Sequence, residues 1–305
     1  MLPVFAVLAA AVLFGTTGTS QALGPDGTTP LGVGAVRLLI GGTALAVIGF
    51  TLARRHRRAS ETASPPLTAR ALMLMALTGV CLAAYQPLFF LGTARGGVAV
   101  GTVIALGSAP VMAGLIEWAI TRRLPRPTWL VATALATTGV ALLAFAGGGS
   151  GSADPLGVLG SLGAGAAFAV FANAQRRLMS TGWDPFTVAG AMGAGSAVSA
   201  LFMLPFASFS WLTEPSGIAV ALWLGLATIA IAYTLFTWGL QRLTAATAAT
   251  LTLAEPVTAT LLGLVVLGEH LDAASVVGIA VLTVGLVVLA WGSRRRDPAP
   301  FAVEG

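Results

Sequence analysis

LGVGAVRLLIGGTALAVIGFTLARRHRR, residues 31–58, decides the fold. An apolar run with one internal charge, Arg37, ends abruptly in Arg54-Arg55-His56-Arg57-Arg58. At about 1.5 Å of helical rise per residue such a run crosses a hydrocarbon core roughly 30 Å thick, and the basic block halts it at a membrane face. Working outward, the chain divides into comparable runs at 3–22, 31–53, 71–93, 97–121, 129–146, 156–178, 185–207, 217–240, 243–267 and 273–292.

Composition agrees. With 56% hydrophobic and 9% charged residues and a mean hydropathy of +0.90, a 305-residue chain lacks the polar surface to enclose so much apolar material in water. The net charge of +5 comes from arginine alone, since the chain has no lysine, and those arginines cluster at the ends of the runs without interleaved aromatics. That pattern excludes nucleic acid as a partner and fits the positive-inside rule. One orientation satisfies it. Arg54, Arg55, Arg57, Arg58, Arg70, Arg122, Arg123, Arg126, Arg176, Arg177, Arg242 and Arg294-Arg295-Arg296 then face the cytoplasm, as do both termini, and Arg95 alone lies outside. The expected location is the cell (inner) membrane.

The first run ends in Ser20-Gln21-Ala22, a peptidase-like step, but residues 1–11 carry no basic residue, so it reads as a span and not as a cleaved signal. Cys81 is the single cysteine, which leaves no disulfide within the chain and no thiolate metal cluster. The outer connections at 24–27, 147–154 and 208–216 are short and turn-rich, and the 54–70 loop, with Pro65-Pro66, reads as a charged stop that attracts anionic lipid.

The chain also matches itself. At an offset of 146, Gly79 meets Gly225, Phe90 meets Phe236, Pro110 meets Pro256, Val111 meets Val257 and Leu115 meets Leu261; Gln21 meets Gln175 and Pro30 meets Pro185 at 154 and 155. Five runs per copy is an odd number, so the second copy enters the membrane from the opposite side. The expected fold is an all-α integral membrane protein of ten transmembrane helices, arranged as two inverted-topology five-helix repeats at 1–147 and 155–293, with a cytoplasmic tail at 294–305.

The ordered motifs resemble those of the EamA-type transporters of the drug/metabolite transporter superfamily. The resemblance lies in Gly92-Thr93-Ala94-Arg95-Gly96-Gly97-Val98-Ala99 leading to Ala109-Pro110-Val111, and in Gln241-Arg242-Leu243-Thr244-Ala245-Ala246 leading to Glu255-Pro256-Val257 and Leu267-Gly268-Glu269. Phe14-Gly15-Thr16 and Arg37-Leu38-Leu39 add to it. Thr121-Arg122-Arg123 departs from the Gly-Glu-Arg-like step usual at the end of the fourth span. The resemblance implies a central cavity lined by spans one, three, four, six, eight and nine, with five and ten peripheral. It also implies export or exchange of a small-molecule substrate.

Several residues are candidates for that work. Pro110 and Pro256 each remove a backbone donor within a span, and the freed carbonyls require protein or a wet cavity. An ionised Glu255 in mid-span costs roughly 2.5–3.5 kcal/mol. It is therefore paired, protonated or wet, and serves as proton or substrate carrier or as structural glue. Arg37, about 9 Å below the outer end of its span, either snorkels, pairs with an acid such as Glu255, or grips a substrate carboxylate. Glu117 reads as an interfacial ion pair with Arg122 and Arg123. Thr16, Thr17, Gln21, Tyr85, Gln86, Asn173, Gln175 and Tyr233 either bond between helices or face a cavity, with Trp238, Phe89 and Phe90 as aromatic walls. The row Gly157, Ser161 and Gly165 signals close helix packing.

Chemistry other than transport finds no motif: GxSxG, HExxH, CxxC and the Walker loop are all absent, and no cofactor or metal site is implied. The expected function is a secondary transporter that exports a small metabolite, an amino acid or an amphipathic compound, by alternating access with possible proton coupling. The competing expectations are a lipid-handling or structural membrane protein and a passive channel.

Overall fold

A computed structural model describes residues 1–60, 65–146, 154–268 and 273–293. Among these the regular structure is helical: α1 (Leu2–Ala22), α2 (Pro30–Ser60), α3 (Ala69–Gly96), α4 (Val98–Thr121), α5 (Pro127–Ala146), α6 (Pro155–Ser180), α7 (Pro185–Leu201), α8 (Pro215–Leu240), α9 (Ala245–Val266) and α10 (Ala273–Ser293). Eight are long and apolar enough to cross a membrane; α7 and the described apolar part of α5, Pro127–Leu143, are shorter. Most of the 147–154 connection, Glu269, His270 and the arginines of the tail lie outside the described residues.

Local chemistry fixes the helix ends. Pro155, Pro185 and Pro215 open their helices, where a missing N–H costs nothing. The side chains of Thr68, Asp154, Asp184 and Thr244 accept first-turn N–H groups that have no partner within the helix. At the far end of α4 sits Arg122, with φ 56°, the one described non-glycine residue in the left-handed region. At the 146-residue offset it corresponds to Gly268, with φ 70° just past α9. The departure from the family-like motif therefore falls at a helix stop that favours glycine.

Small residues let the helices meet. A Cβ on Gly42 would lie 2.8 Å from Gly193 O, and one on Gly49 would lie 2.6 Å from Gly190 N, so α2 and α7 touch backbone to backbone. A Cβ on Gly285 would come 2.8 Å from Ala136 N where α10 lies on α5. Of the Gly157, Ser161 and Gly165 row, Ser161 meets Gly92 of α3 and Gly165 meets Ala105 of α4.

The principal pairings are α3 with α6 and α1 with α8, α4 with α6 and α1 with α9, α3 with α7 and α2 with α8, α2 with α7, and α5 with α10. Exchanging every helix for the one five places along the chain returns the same set.

Two helices are irregular. α8 winds as a π-helix over Trp223–Ile231, and α9 breaks between Leu251 and Ala254, just ahead of Pro256. By contrast α4 runs unbroken through Pro110.

Replacing Arg122 with Gly should stabilise the protein by about 1 kcal/mol, because the left-handed conformation costs an L-residue roughly 1–2 kcal/mol. Gly268→Ala should destabilise it by a similar amount. Unfolding of the detergent-solubilised protein reads both; an Arg122→Gly midpoint at or below that of the parent would contradict the assigned backbone conformation.

Candidate functional site

Arg37 does not snorkel. It is 7% exposed, and a terminal guanidinium nitrogen donates across to Thr228 Oγ1 on α8 at 3.0 Å, while its Nε is buried with no hydrogen-bond partner. Thr228 belongs to the π-helical stretch and donates in turn to Leu224 O at 2.6 Å. A π-helical stretch turns side chains out of regular α register, and such widenings occur often at functional positions.

Three groups lie within electrostatic reach of this guanidinium: Tyr85 on α3, Tyr233 on α8 and Glu255 on α9. Glu255 sits in the first turn of the helical segment that restarts after the break, where free N–H groups and the helix dipole favour a carboxylate. It is deep in the bundle yet part-accessible. Arg37 and Glu255 form no direct ion pair. An ion pair does join Arg95 and Asp154, at 3.6 Å.

Beside Glu255, α1 crosses α9 at Gly15, where a Cβ would lie 2.7 Å from Glu255 O and 2.6 Å from Thr258 Cβ. The neighbouring Phe14 ring packs on Tyr233 at 5.0 Å. From there a continuous aromatic layer runs through Phe171 and Phe236 to Phe168, and on to Tyr85 and Phe89. Phe14 and Phe168 were not picked out as site residues from the sequence, although they stand apart by the same separation as Gln21 and Gln175. That repeat was the signal available for finding them. Thr228, a hydroxyl within an apolar helix, carried no such mark.

The remaining candidates disperse. Asn173 Nδ2 donates to Ala113 O of α4 at 3.1 Å and to Ala169 O at 2.9 Å. Gln175 Nε2 donates to Met192 Sδ and its Oε1 accepts from Thr237. Both are buried ties between helices. Thr16 Oγ1 accepts from Trp223 Nε1 at 2.9 Å and donates to Leu13 O. Pro110 is buried and Pro256 part-accessible. Among the described residues no hydrogen bond or ring contact joins Gln21 or Trp238 to the Arg37 group.

Glu117 differs from its expected role. Its partner is the start of α9, where Oε2 accepts from Ala246 N at 3.1 Å, and its nearby cation is Arg176 in place of Arg122 and Arg123. A free helix N-terminus in low dielectric is the stronger attraction for a carboxylate than solvated arginines at a helix end. The α5 helix is less peripheral than the resemblance implies, because Trp129 Nε1 and Thr133 Oγ1 both reach Thr250 of α9, at 3.1 and 2.9 Å.

Two cavities open on the bundle. One, of about 640 Å³, opens among Gly114, Glu117, Trp129, Asn173 and arginines at one end of the bundle. A smaller one, of about 370 Å³, lies between α2 and α3 beside Gly34, Gln86, Pro87 and Phe90. Arg37 and Glu255 line neither.

Comparison with known proteins agrees with this architecture. Residues 1–145 and 155–291 each match the EamA-like transporter family. An uncharacterized transporter of Bacillus subtilis (strain 168), YwfM, is 42% identical over 299 residues, which is 97% of this chain and 96% of the relative. A protein of known crystal structure shares the fold, with a TM-score of 0.77 at 22% identity over 96% of this chain and 98% of the other.

Thr228→Val keeps the shape of the side chain but removes the acceptor for Arg37. It should lower stability by about 1–3 kcal/mol, the usual penalty for a buried polar group left unmet, whereas Thr228→Ser should be close to neutral. Equal unfolding midpoints for the Val and Ser variants would show that the bond is not made.

Proposed function

Because the chain belongs to the EamA-like transporter family, we propose that it is a secondary transporter which moves a small metabolite, an amino acid or an amphipathic compound, out of the cell by alternating access. The observation that carries this reading is the convergence of Arg37, Tyr85, Tyr233 and part-accessible Glu255 from four helices, deep in the bundle and walled by aromatic rings. A buried cation and a carboxyl not paired directly with each other leave both free to hold a polar solute. The rings suit its apolar part.

Ten spans in two inverted repeats, 1–147 and 155–293, provide the scaffold. Two findings support it: the family match occurs twice, and the helix pairings return to themselves on exchange of helices five apart. Rocking one repeat against the other would expose the site to each side in turn. In this conformation the arginine-rich end is held by Glu117 to Ala246 N and Asn173 to Ala113 O, both between the repeats. Opening that end breaks them. Both termini and the tail at 294–305 lie in the cytoplasm under the arginine bias, and the host membrane is the inner one.

Glu255 is the proposed proton carrier. Glu255→Gln keeps hydrogen bonding but cannot change charge. In proteoliposomes it should abolish flux driven by a pH gradient while sparing substrate exchange; a well-folded Glu255→Gln protein with an unchanged pH profile would remove the proton role. Loss of both activities with loss of thermal stability would mark the residue as structural.

Orientation has a separate test. With Cys81 replaced by Ser, a cysteine introduced at Ser150 should react with an impermeant reagent added to whole cells, and one at Ser60 should react only after the membrane is opened. The reverse pattern inverts the topology.

A further inference from the structure

The positive-inside bias requires arginines on the connections at one end of the bundle, but not that they converge. They do converge. The cavity of about 640 Å³ draws Arg123 and Arg126 from the α4–α5 connection, Arg176 and Arg177 from the end of α6, and Arg242 from the α8–α9 connection. The Arg54–Arg58 block lines no part of it. Its one acidic wall residue, Glu117, is already engaged by Ala246 N, and Arg176 donates to Gln241 O at 2.9 Å. The other four guanidinium groups form no ion pair among the described residues.

The rim differs in kind. Trp118, Ile120 and Leu124, which also line the cavity, are 40%, 51% and 81% exposed. A soluble anion would gain nothing from such a rim. An amphiphile would, because apolar chains can lie on these side chains while its head sits among the arginines. Guanidinium groups suit a phosphate in particular, since their planar donors meet its oxygens in pairs. The volume falls in the range of small-ligand sites.

We propose that this cavity is a binding site for the headgroup of an anionic phospholipid, separate from the Arg37 and Glu255 centre. The phosphate lies among Arg123, Arg126, Arg177 and Arg242, and the acyl chains lie along Trp118, Ile120 and Leu124. A basic residue near an anionic surface strengthens binding about fivefold, so removing two should weaken it about 25-fold.

Native mass spectrometry of the purified full-length protein, titrated with phosphatidylglycerol or phosphatidylcholine, tests this. The expected result is one tightly held phosphatidylglycerol, weak phosphatidylcholine, about 25-fold weaker phosphatidylglycerol for Arg123→Gln with Arg126→Gln, and no change for Arg54→Gln with Arg55→Gln. Equal loss in both double variants would reduce the effect to general surface charge and overturn the site. So would equal affinity for the two lipids. A third arm uses the unaltered protein and does not depend on the variants folding: glycerol phosphate should fail to displace the lipid at comparable concentration, and displacement would mean a soluble-anion site instead.

Discussion

Hydrocarbon offers the backbone no water, so every N–H and C=O must find its partner within the protein. Helices meet that requirement along the chain, and many hydroxyls follow the same rule, although those of Thr137 and Ser161 are buried without a partner. Thr78, Thr228, Thr250, Thr260 and Ser196 all donate to a carbonyl three or four residues earlier in their own helix. Once polar groups are satisfied locally, little polar attraction remains between helices, and lipid tails compete equally for apolar surfaces. Close backbone contact at glycine then provides the packing. The few side chains that bond across helices, among them Arg37, Trp129, Asn173 and Gln175, select which helices meet.

The same constraint locates the irregular backbone. Leu224, Gly225 and Ala227 through Ala230 of the π-helical stretch are buried, and so are Thr252 and Leu253 at the break in α9. The break in α9 is enclosed, while the π-helical stretch turns Trp223, Leu226 and Ile231 outward and Thr228 inward. Both adjoin the charged centre, one presenting Thr228 to Arg37 and the other placing Glu255 at a helix start. Segments that lack regular hydrogen bonds deform at lower cost than intact helix. A site with Glu255 on one such segment and Arg37 bonded to Thr228 on the other can change shape without unfolding the bundle.

How far this could be read from sequence depended on what each signal measures. Hydropathy measures the hydrocarbon, so α6 was legible almost to the residue, at 156–178 against Pro155–Ser180. It does not measure the helix, and α2 continues through Arg54 to Ser60 because a basic segment can stay helical in the headgroup region. The 185–207 run ends as helix at Leu201, after which 3-10 turns carry the chain and bury Trp211 against α2 and α8. A lone tryptophan in a polar connection gave no warning of that. Pro256 did signal the interruption of α9, whereas Pro110, expected by the same reasoning to kink its span, leaves α4 unbroken. For Glu117 the neighbouring arginines in sequence misled, because its partner Ala246 N lies on a helix far along the chain.

The repeat gives the charged centre its meaning through what it fails to duplicate. At the offset relating Pro30 to Pro185, Arg37 meets Met192, a fully buried thioether that accepts from Gln175. At the offset relating Pro110 to Pro256, Glu255 meets Ala109. The aromatic frame is shared more evenly, with Phe14 against Tyr233 in one place and Phe168 against Tyr85 in the other. On the proposed inverted repeat, exchange of the two conformations carries each helix into the role of its counterpart, so any group far from the symmetry axis needs a second copy to serve both states. A group near the axis stays central under that exchange and needs only one. Single copies of Arg37 and Glu255 within a duplicated aromatic frame therefore fit a solute held at the axis, where the same two charges face it whichever side is open.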